Sequence, residues 1–378
     1  MEPFIISLLR SAAESGRSLE RIAVDEAQVN WAIRTGFGPL LYDRALNAPG
    51  LIPRASSRVL LVSELAARAD SKRRRTAMIQ IIDACSSSVS ELTILKGISV
   101  CDEYYPKSHW RPMADIDFLV PEADLGRAES ALRGLGYRQV SPCPAEFYAM
   151  HHHSMPFQDP KTGVAVEIHT ALFPNGTPLS QSRAFRLPNI VAHLRPSGFQ
   201  GRAIYRLSNE LQLAYLACHA LVERRVFNTL IPFLDVIFLL RQAGRELNWH
   251  TVLDWLDDRT VSAYLCVMLA YLERHRVVPF PPAVHAALLA AKRRLGRLTL
   301  ALIHRSMDRY AAHGQSMDDI LGRDNRFVAW ETLLAPRSPL LNLLLIPWNL
   351  AFPPSNPDRF RVRFQLERVR SVYRRARR

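Results

Sequence analysis

The chain predicts an α+β protein in which an α/β core lies between two helical regions, and three observations carry that expectation. Apolar residues recur at helical spacing over the first 84 positions. Between residues 85 and 200 the texture changes to short apolar runs of β character separated by turn residues, and beyond residue 207 long helical stretches return. A helical preface, an α/β core and a helical subdomain follow from that order.

Taken in sequence, Leu60, Val62, Leu65, Ala66 and Ala69 mark one face of a helix, with Gly36, Gly38, Pro39 and Pro53 as breakers before it. The basic run Lys72 to Arg75 sits on the same helix and reads as a solvated face. Residues 86–94 read as a helix leading into Leu95-Lys96-Gly97, residues 116–120 as a buried strand, and residues 125–135 as an amphipathic helix ending at Gly136. A turn over 160–163 introduces a strand at 164–169. Helices are expected over 210–223, 227–242, 251–256, 261–273 and 282–310. The expected divisions are a helical region at 1–84, the α/β core at 85–200, a helical subdomain at 201–310 and a C-terminal helical extension at 311–378.

Composition sets the outer bounds. With 378 residues, 48% of them hydrophobic, the chain can bury a substantial core, which excludes wholesale disorder. Cys85, Cys101, Cys143, Cys218 and Cys266 form no CxxC pair and are odd in number, so neither a disulfide framework nor a zinc ribbon is indicated. Acidic Glu2 and the lack of a basic stretch before the first apolar run argue against a secretory signal. The nearest approach to a membrane span, residues 340–352, is interrupted by Asn342, Pro347 and Asn349. A soluble, cytoplasmic protein is expected.

The net charge of +14 would by itself suggest a nucleic-acid partner, but its distribution weakens that inference. Residues 359–378 hold nine arginines against one acid, Glu367, and so supply eight of the fourteen charges. In the same tail Val362, Leu366, Val369 and Tyr373 form an apolar stripe. Packing on the protein, binding RNA and lying on an anionic membrane surface are all open to it.

The strongest chemical signal is Arg111-Pro-Met-Ala-Asp115-Ile-Asp117-Phe-Leu-Val120. Side chains alternate along a strand, so Asp115 and Asp117 share one face, within about 7 Å of each other, while Ile116, Phe118 and Val120 bury on the other. Two such carboxylates can reach a pair of divalent ions, the usual clamp for in-line phosphoryl or nucleotidyl displacement. The alternative for a bare Asp-x-Asp is a strand end whose acids face water. Downstream, Val164-Ala-Val-Glu167-Ile-His169 places an acid and a histidine on one face of a second apolar strand. Glu167 supplies the third carboxylate that a two-metal site needs, to bind the catalytic ion and accept the acceptor's proton; an edge strand with one wet face is the alternative. Upstream, Gly97 permits close backbone approach by a triphosphate and Lys96 can neutralise phosphate charge, although a Lys-Gly pair is also a common helix cap.

With these residues in place the sequence resembles the uncharacterised nucleotidyltransferase family of the DNA-polymerase-beta-like superfamily. The resemblance rests on Leu95-Lys96-Gly97, Arg111, Asp115/Asp117 and Glu167/His169, and extends to the Leu132–Gly136–Tyr137 helix end, His152/His153 and the region around His219 and Asp235. It covers roughly residues 25–300. It implies a small mixed sheet flanked by helices, with a nucleoside triphosphate and Mg²⁺ between sheet and helices; Asp115 and Asp117 would bind two ions and Glu167 the catalytic one, with Mn²⁺ as a substitute. Two departures stand out. Gly97 is followed by Ile98, with Ser99 one place further, where the superfamily has a small residue, and the third acid is Glu where much of the superfamily has Asp. Lys96, Gly97, Ser99 and Arg111 are the expected nucleotide-binding residues.

Among lesser candidates, Arg111 can hold a phosphate or orient an aspartate. Adjacent histidines on an extended segment point to opposite faces, so His151, His152 and His153 are not expected to ligate one ion together, and His153 is the one expected to line the cleft. For His169 the readings are a partner that orients Glu167, a substrate contact and a satisfied core histidine. His219 and Asp235 are expected to pair across a helical hairpin. The expected activity is Mg²⁺-dependent transfer of a nucleotidyl group to a hydroxyl or phosphate acceptor with pyrophosphate leaving; a sugar, metabolite, peptide, protein or RNA end would each serve as acceptor. The rival readings are a silent scaffold that binds RNA or a partner through its tail, and a toxin-like nucleotidyltransferase acting on transfer RNA or protein.

Overall fold

The alternating apolar segments assemble into a seven-stranded mixed sheet in a computed structural model that describes residues 2–13, 24–48, 50–140, 148, 151–222, 229–313, 329, 332–335 and 338–352. Its strands are β1 (Thr93–Ile94), β2 (Asp115–Leu119), β3 (Arg138–Gln139), β4 (Phe157–Gln158), β5 (Ala165–His169), β6 (Leu194–Phe199) and β7 (Arg202–Leu207), in the spatial order β3-β4-β5-β2-β1-β7-β6. The pairs β2/β5 and β1/β7 are parallel and the rest antiparallel. Ile116, Phe118, Val166 and Ile168 are fully buried and join Met78, Ile81, Ile82 and Ile98 in the core under the sheet.

The helices are α1 (Glu2–Ala13), α2 (Glu26–Thr35), α3 (Gly38–Leu46), α4 (Arg54–Cys85), α5 (Lys96–Glu103), α6 (Leu125–Gly134), α7 (Leu187–Ala192), α8 (Asn209–Val222), α9 (Ile231–Ala243), α10 (Trp249–Asp257), α11 (Arg259–Arg274), α12 (Pro282–Leu295), α13 (Arg297–His313) and α14 (Pro339–Ala351). The expected α+β class is what the structure has. The side chains of α1 to α3 share one hydrophobic core with those of α8 to α12, and α1 packs directly on α9. Cross-links reinforce that union: Arg44 donates to the Ser11 carbonyl, Arg241 to the Ala12 carbonyl and Arg10 to the His275 carbonyl.

Several local expectations need correction. On α4, Val62 and Leu65 are exposed, while the buried side includes Leu60, Glu64, Ser71, Arg74 and Met78. Glu64 can be buried because His109 and Arg68 bond its carboxylate. In the basic run, Lys72 and Arg73 face solvent, but Arg74 is buried and Arg75 bonds Asp102. No helix spans 86–94: α4 ends at Cys85, and residues 93–94 are strand. The expected helix over 282–310 is broken at Gly296, whose φ of +89° lies in a region that a β-carbon disfavours, and whose absent side chain leaves room for Pro339. Residues 227–228 of another expected helix, and the Arg-rich tail at 359–378, lie outside the described residues. No described helix is long and apolar enough to cross a membrane.

The expected His219–Asp235 pair is also replaced. Asp235, buried on α9, takes Arg111 in a bidentate pair (Nε to Oδ1 and Nη2 to Oδ2, both 2.9 Å), and Tyr105 Oη donates to Oδ1 at 2.6 Å. This cluster fastens the loop before β2 to the helical layer. Removing one member of a buried, hydrogen-bonded ion pair strands the other, so Asp235→Asn should cost about 3–5 kcal/mol of stability in urea unfolding. A loss below about 1 kcal/mol would show that the pair does not join the layers.

Candidate carboxylate and metal site

Parallel pairing of β2 with β5 sets Asp117 opposite Glu167, Asp115 opposite Ala165 and Leu119 opposite His169. Partners in register lie on neighbouring strands about 4.8 Å apart with side chains on the same face, so the Asp117 and Glu167 carboxylates meet by virtue of the register alone. Asp117 and His169 are buried, whereas 22% of the Glu167 side chain remains exposed.

A cation is supplied from the third direction. Leu95 N–H donates to the Asp117 carbonyl (3.0 Å), holding the end of β1 against β2, and α5 begins at the next residue. Lys96 there has φ +44°, a left-handed conformation costing a residue with a β-carbon roughly 1–2 kcal/mol. Its ammonium donates to Asp117 Oδ1 at 2.8 Å and lies 4.0 Å from Glu167 Oε2. His169 Nε2 is 2.9 Å from the same Asp117 oxygen and 3.6 Å from Glu167 Oε2. A carboxylate can only accept, so Nε2 carries the proton and His169 acts on Asp117 as a donor.

The electrostatics follow from these contacts. Burial works to raise the Asp117 pKa, but Lys96 and His169 outweigh it and hold the carboxyl far below the usual range. Glu167 is likewise lowered: burial and the Asp117 charge oppose ionisation, and His169 and Lys96 favour it. Both acids are therefore ionised at neutral pH. Oxygen or nitrogen atoms of Asp117, Glu167 and His169 all lie within 4.8 Å of one another, a spacing that suits a metal ion. With His169 Nε2 committed to Asp117, the donors best disposed toward a hard ion such as Mg²⁺ are the two carboxylates.

The other expected site residues are distributed differently. Asp115 is half-buried one pleat along β2 and is not part of that three-residue group. Gly97 is buried, and a β-carbon there would come within 2.6 Å of Arg111 Nη1 and 2.7 Å of Met113 Cγ; what approaches its backbone is a protein side chain. Arg111, expected to hold a phosphate or orient an aspartate, is paired with the Asp235 carboxylate. Ser99 is buried, and both its carbonyl (2.8 Å) and its hydroxyl (3.1 Å) accept from Arg206. Arg206, which the sequence reading missed, is buried on β7 and also bonds Asp102 Oδ2 at 2.6 Å and Ser197 Oγ at 3.1 Å. An arginine inside the strand pattern Arg202-Ala-Ile-Tyr-Arg206-Leu, among residues otherwise apolar, was its only signal.

His153 pairs with His169 in an antiparallel bridge, and their rings lie 5.4 Å apart. His151 and His152 do not project to opposite faces. Their backbone is bent, which breaks the alternation, and ring nitrogens of all three adjacent histidines fall within 4.8 Å of one another. Burial, followed by the His169 and His153 imidazoles, pushes His152 down to about 2; burial also lowers His151.

Comparison with known proteins adds the following. A family model described as "Uncharacterised nucleotidyltransferase" matches residues 25–276. No curated protein matches the chain. Among solved structures, the antibiotic-resistance factor ANT(2'')-Ia in solution is 16% identical with a TM-score of 0.33, covering 55% of this chain and 98% of that one. The crystal structure of ANT(2'')-Ia with adenylyl-2''-tobramycin is 13% identical with a TM-score of 0.27, covering 63% and 99%. Likenesses that loose place no residue of the site.

Two substitutions test the geometry. Asp117 has a folded pKa below its unfolded value, so its contribution to stability is complete above the ordinary carboxylate range and is lost as pH falls through the folded value. Lys96→Met should therefore destabilise by about 3 kcal/mol or more at pH 7, and progressively less below about pH 4, when urea unfolding is followed against pH. A pH-independent loss would separate Lys96 from Asp117. Gly97→Ala should cost about 1–3 kcal/mol by displacing an arginine fixed on Asp235, and a stability within 0.5 kcal/mol of the parent, taken as about the measurement limit, would refute that contact.

Proposed function

The chain belongs to the uncharacterised nucleotidyltransferase family, and from that premise we propose that it transfers a nucleotidyl group from a nucleoside triphosphate to a hydroxyl or phosphate acceptor, with pyrophosphate leaving. The observation that supports this reading is the in-register meeting of Asp117 and Glu167 around the Lys96 ammonium. Two ionised carboxylates side by side call for positive charge, and the Lys96 ammonium, 2.8 Å from one and 4.0 Å from the other, supports a cation site there. Mg²⁺, one ion or two, would be held by Asp117 and Glu167 with Asp115 alongside, and would neutralise the charge that develops on the transferring phosphoryl oxygens. Mn²⁺ has the same oxygen-donor preference.

In this reading each side chain has a defined task. Asp117 is kept ionised and fixed in orientation by His169. Glu167, the more accessible of the pair, takes the proton of the acceptor hydroxyl as the acceptor oxygen bonds to the α-phosphorus and the bond to the β-phosphate breaks. Lys96 turns from Asp117 toward the phosphates, exchanging one anionic partner for another. Gly97, Ser99 and Arg111 hold α5 and the loop before β2 in place, and His153 lines the cleft beside His169. The acceptor, whether sugar, metabolite, peptide, protein or RNA, would enter from the exposed side of Glu167.

The test is incubation of the protein with Mg²⁺, each α-labelled triphosphate in turn and a cell extract, followed by separation of labelled products. The parent should label an acceptor, and Asp117→Asn should lower the yield at least about 100-fold, a loss of some 2.7 kcal/mol of transition-state stabilisation. Labelling unchanged in the variant, or no labelling with any triphosphate, would overturn the proposal.

A further inference from the structure

Next to the carboxylates stands a second cluster of a different chemistry. Residues 151–154 cross the end of β5, pinned by backbone bonds from Ser154 N–H to the Ile168 carbonyl (2.8 Å) and from Thr170 N–H to the His152 carbonyl (2.9 Å). The bend at residues 151–152 gathers three imidazoles, with ring centroids 5.5 Å (His151–His152), 4.9 Å (His151–His153) and 5.0 Å (His152–His153) apart. One nitrogen from each ring lies within 4.8 Å of the other two.

Two further observations point to a ligand. His153 Nδ1 is 2.9 Å from the Ser154 carbonyl, which can only accept; Nδ1 therefore carries the proton and the lone pair is left on Nε2. An imidazole fixed by a backbone carbonyl at one nitrogen, with the other presented, is the usual arrangement of a metal-ligating histidine. His152 Nδ1 is buried and has no hydrogen-bond partner among the described residues. A buried, unsatisfied ring nitrogen carries a cost that a metal bond would remove.

We propose that His151, His152 and His153 bind one first-row transition ion of the zinc class, at a site distinct from the Asp117–Glu167 pair. Imidazole nitrogen suits Zn²⁺, Co²⁺, Ni²⁺ and Cu²⁺, whereas Mg²⁺ prefers oxygen, so the two neighbouring clusters sort ions by donor type. Three protein nitrogens also leave a fourth position for water or for an oxygen of an acceptor. His169 stays outside the donor set because its ring nitrogens are not among those that gather within 4.8 Å of one another there.

The test uses metal-free protein titrated with Co²⁺, read by its visible absorption, and with Zn²⁺, read by calorimetry. One equivalent should bind with micromolar or tighter affinity and give the intense visible band of a tetrahedral nitrogen site. His151→Ala and His152→Ala should each weaken binding by about tenfold or more, with thermal unfolding of the metal-free variants as a check on folding, while the double variant Asp117→Asn/Glu167→Gln should bind within about twofold of the parent. Absence of binding, or a weak octahedral band in the parent, would overturn the proposal whatever the variants do. So would binding that survives in the histidine variants and disappears in the carboxylate variant, which would assign the ion to Asp117 and Glu167. Nucleotidyl transfer does not enter these readouts, so either proposal can fail without the other.

Discussion

The carboxylate of Asp117 is the constraint to which the surrounding structure answers. An isolated charge at that depth would cost several kcal/mol or give up its ionisation, and neither happens because two cation or proton donors reach one of its oxygens. Lys96 does so from a left-handed backbone at the first residue of α5, and His169 from the last residue of a strand parallel to β2 and in register with it. The short β1, the turn after it and the pairing of β2 with β5 all bring these donors to a single oxygen.

Helix α5 is the element on which the buried charges converge. Its first residue bonds Asp117, its second lies against Arg111, its fourth accepts from Arg206 and its seventh, Asp102, pairs with both Arg75 and Arg206. The guanidinium of Arg111 leads on to Asp235 in the helical layer, and that of Arg206 to the β6–β7 hairpin. Small residues at positions 97 and 99 thus admit two arginines, and this use of space explains their identity as directly as phosphate binding would.

How much of this was legible in the sequence depends on the range of each interaction. The strands carrying Asp115, Asp117, Glu167 and His169 could be read because polar residues at a spacing of two interrupt apolar runs, and strand alternation then fixes which side chains share a face. The Arg111–Asp235 pair joins residues 124 positions apart and leaves no local pattern, so nothing in the sequence near Arg111 names its partner. Ser99 lies in the first turn of α5, which carries it toward Arg206, a contact 107 residues away that no local pattern announces. On α4 apolar periodicity does not mark the inward face, because Glu64 and Arg74 are buried there as paired charges. An extended histidine run would alternate its faces, and the bend at 151–152, which no residue type there announces, breaks that alternation.

The distances along the chain between the partners of Asp117 also impose an order on its assembly. Lys96 is 21 residues away and arrives through an antiparallel pairing of neighbouring strands, a short-range event. His169 is 52 residues away and arrives only once the connection through α6, β3 and β4 has brought β5 alongside β2. Closing the larger loop is entropically dearer, and contacts of that range form later. Loop closure alone thus makes the lysine contact the cheaper one to form first, and an ammonium in place early would neutralise the aspartate before the histidine reaches it.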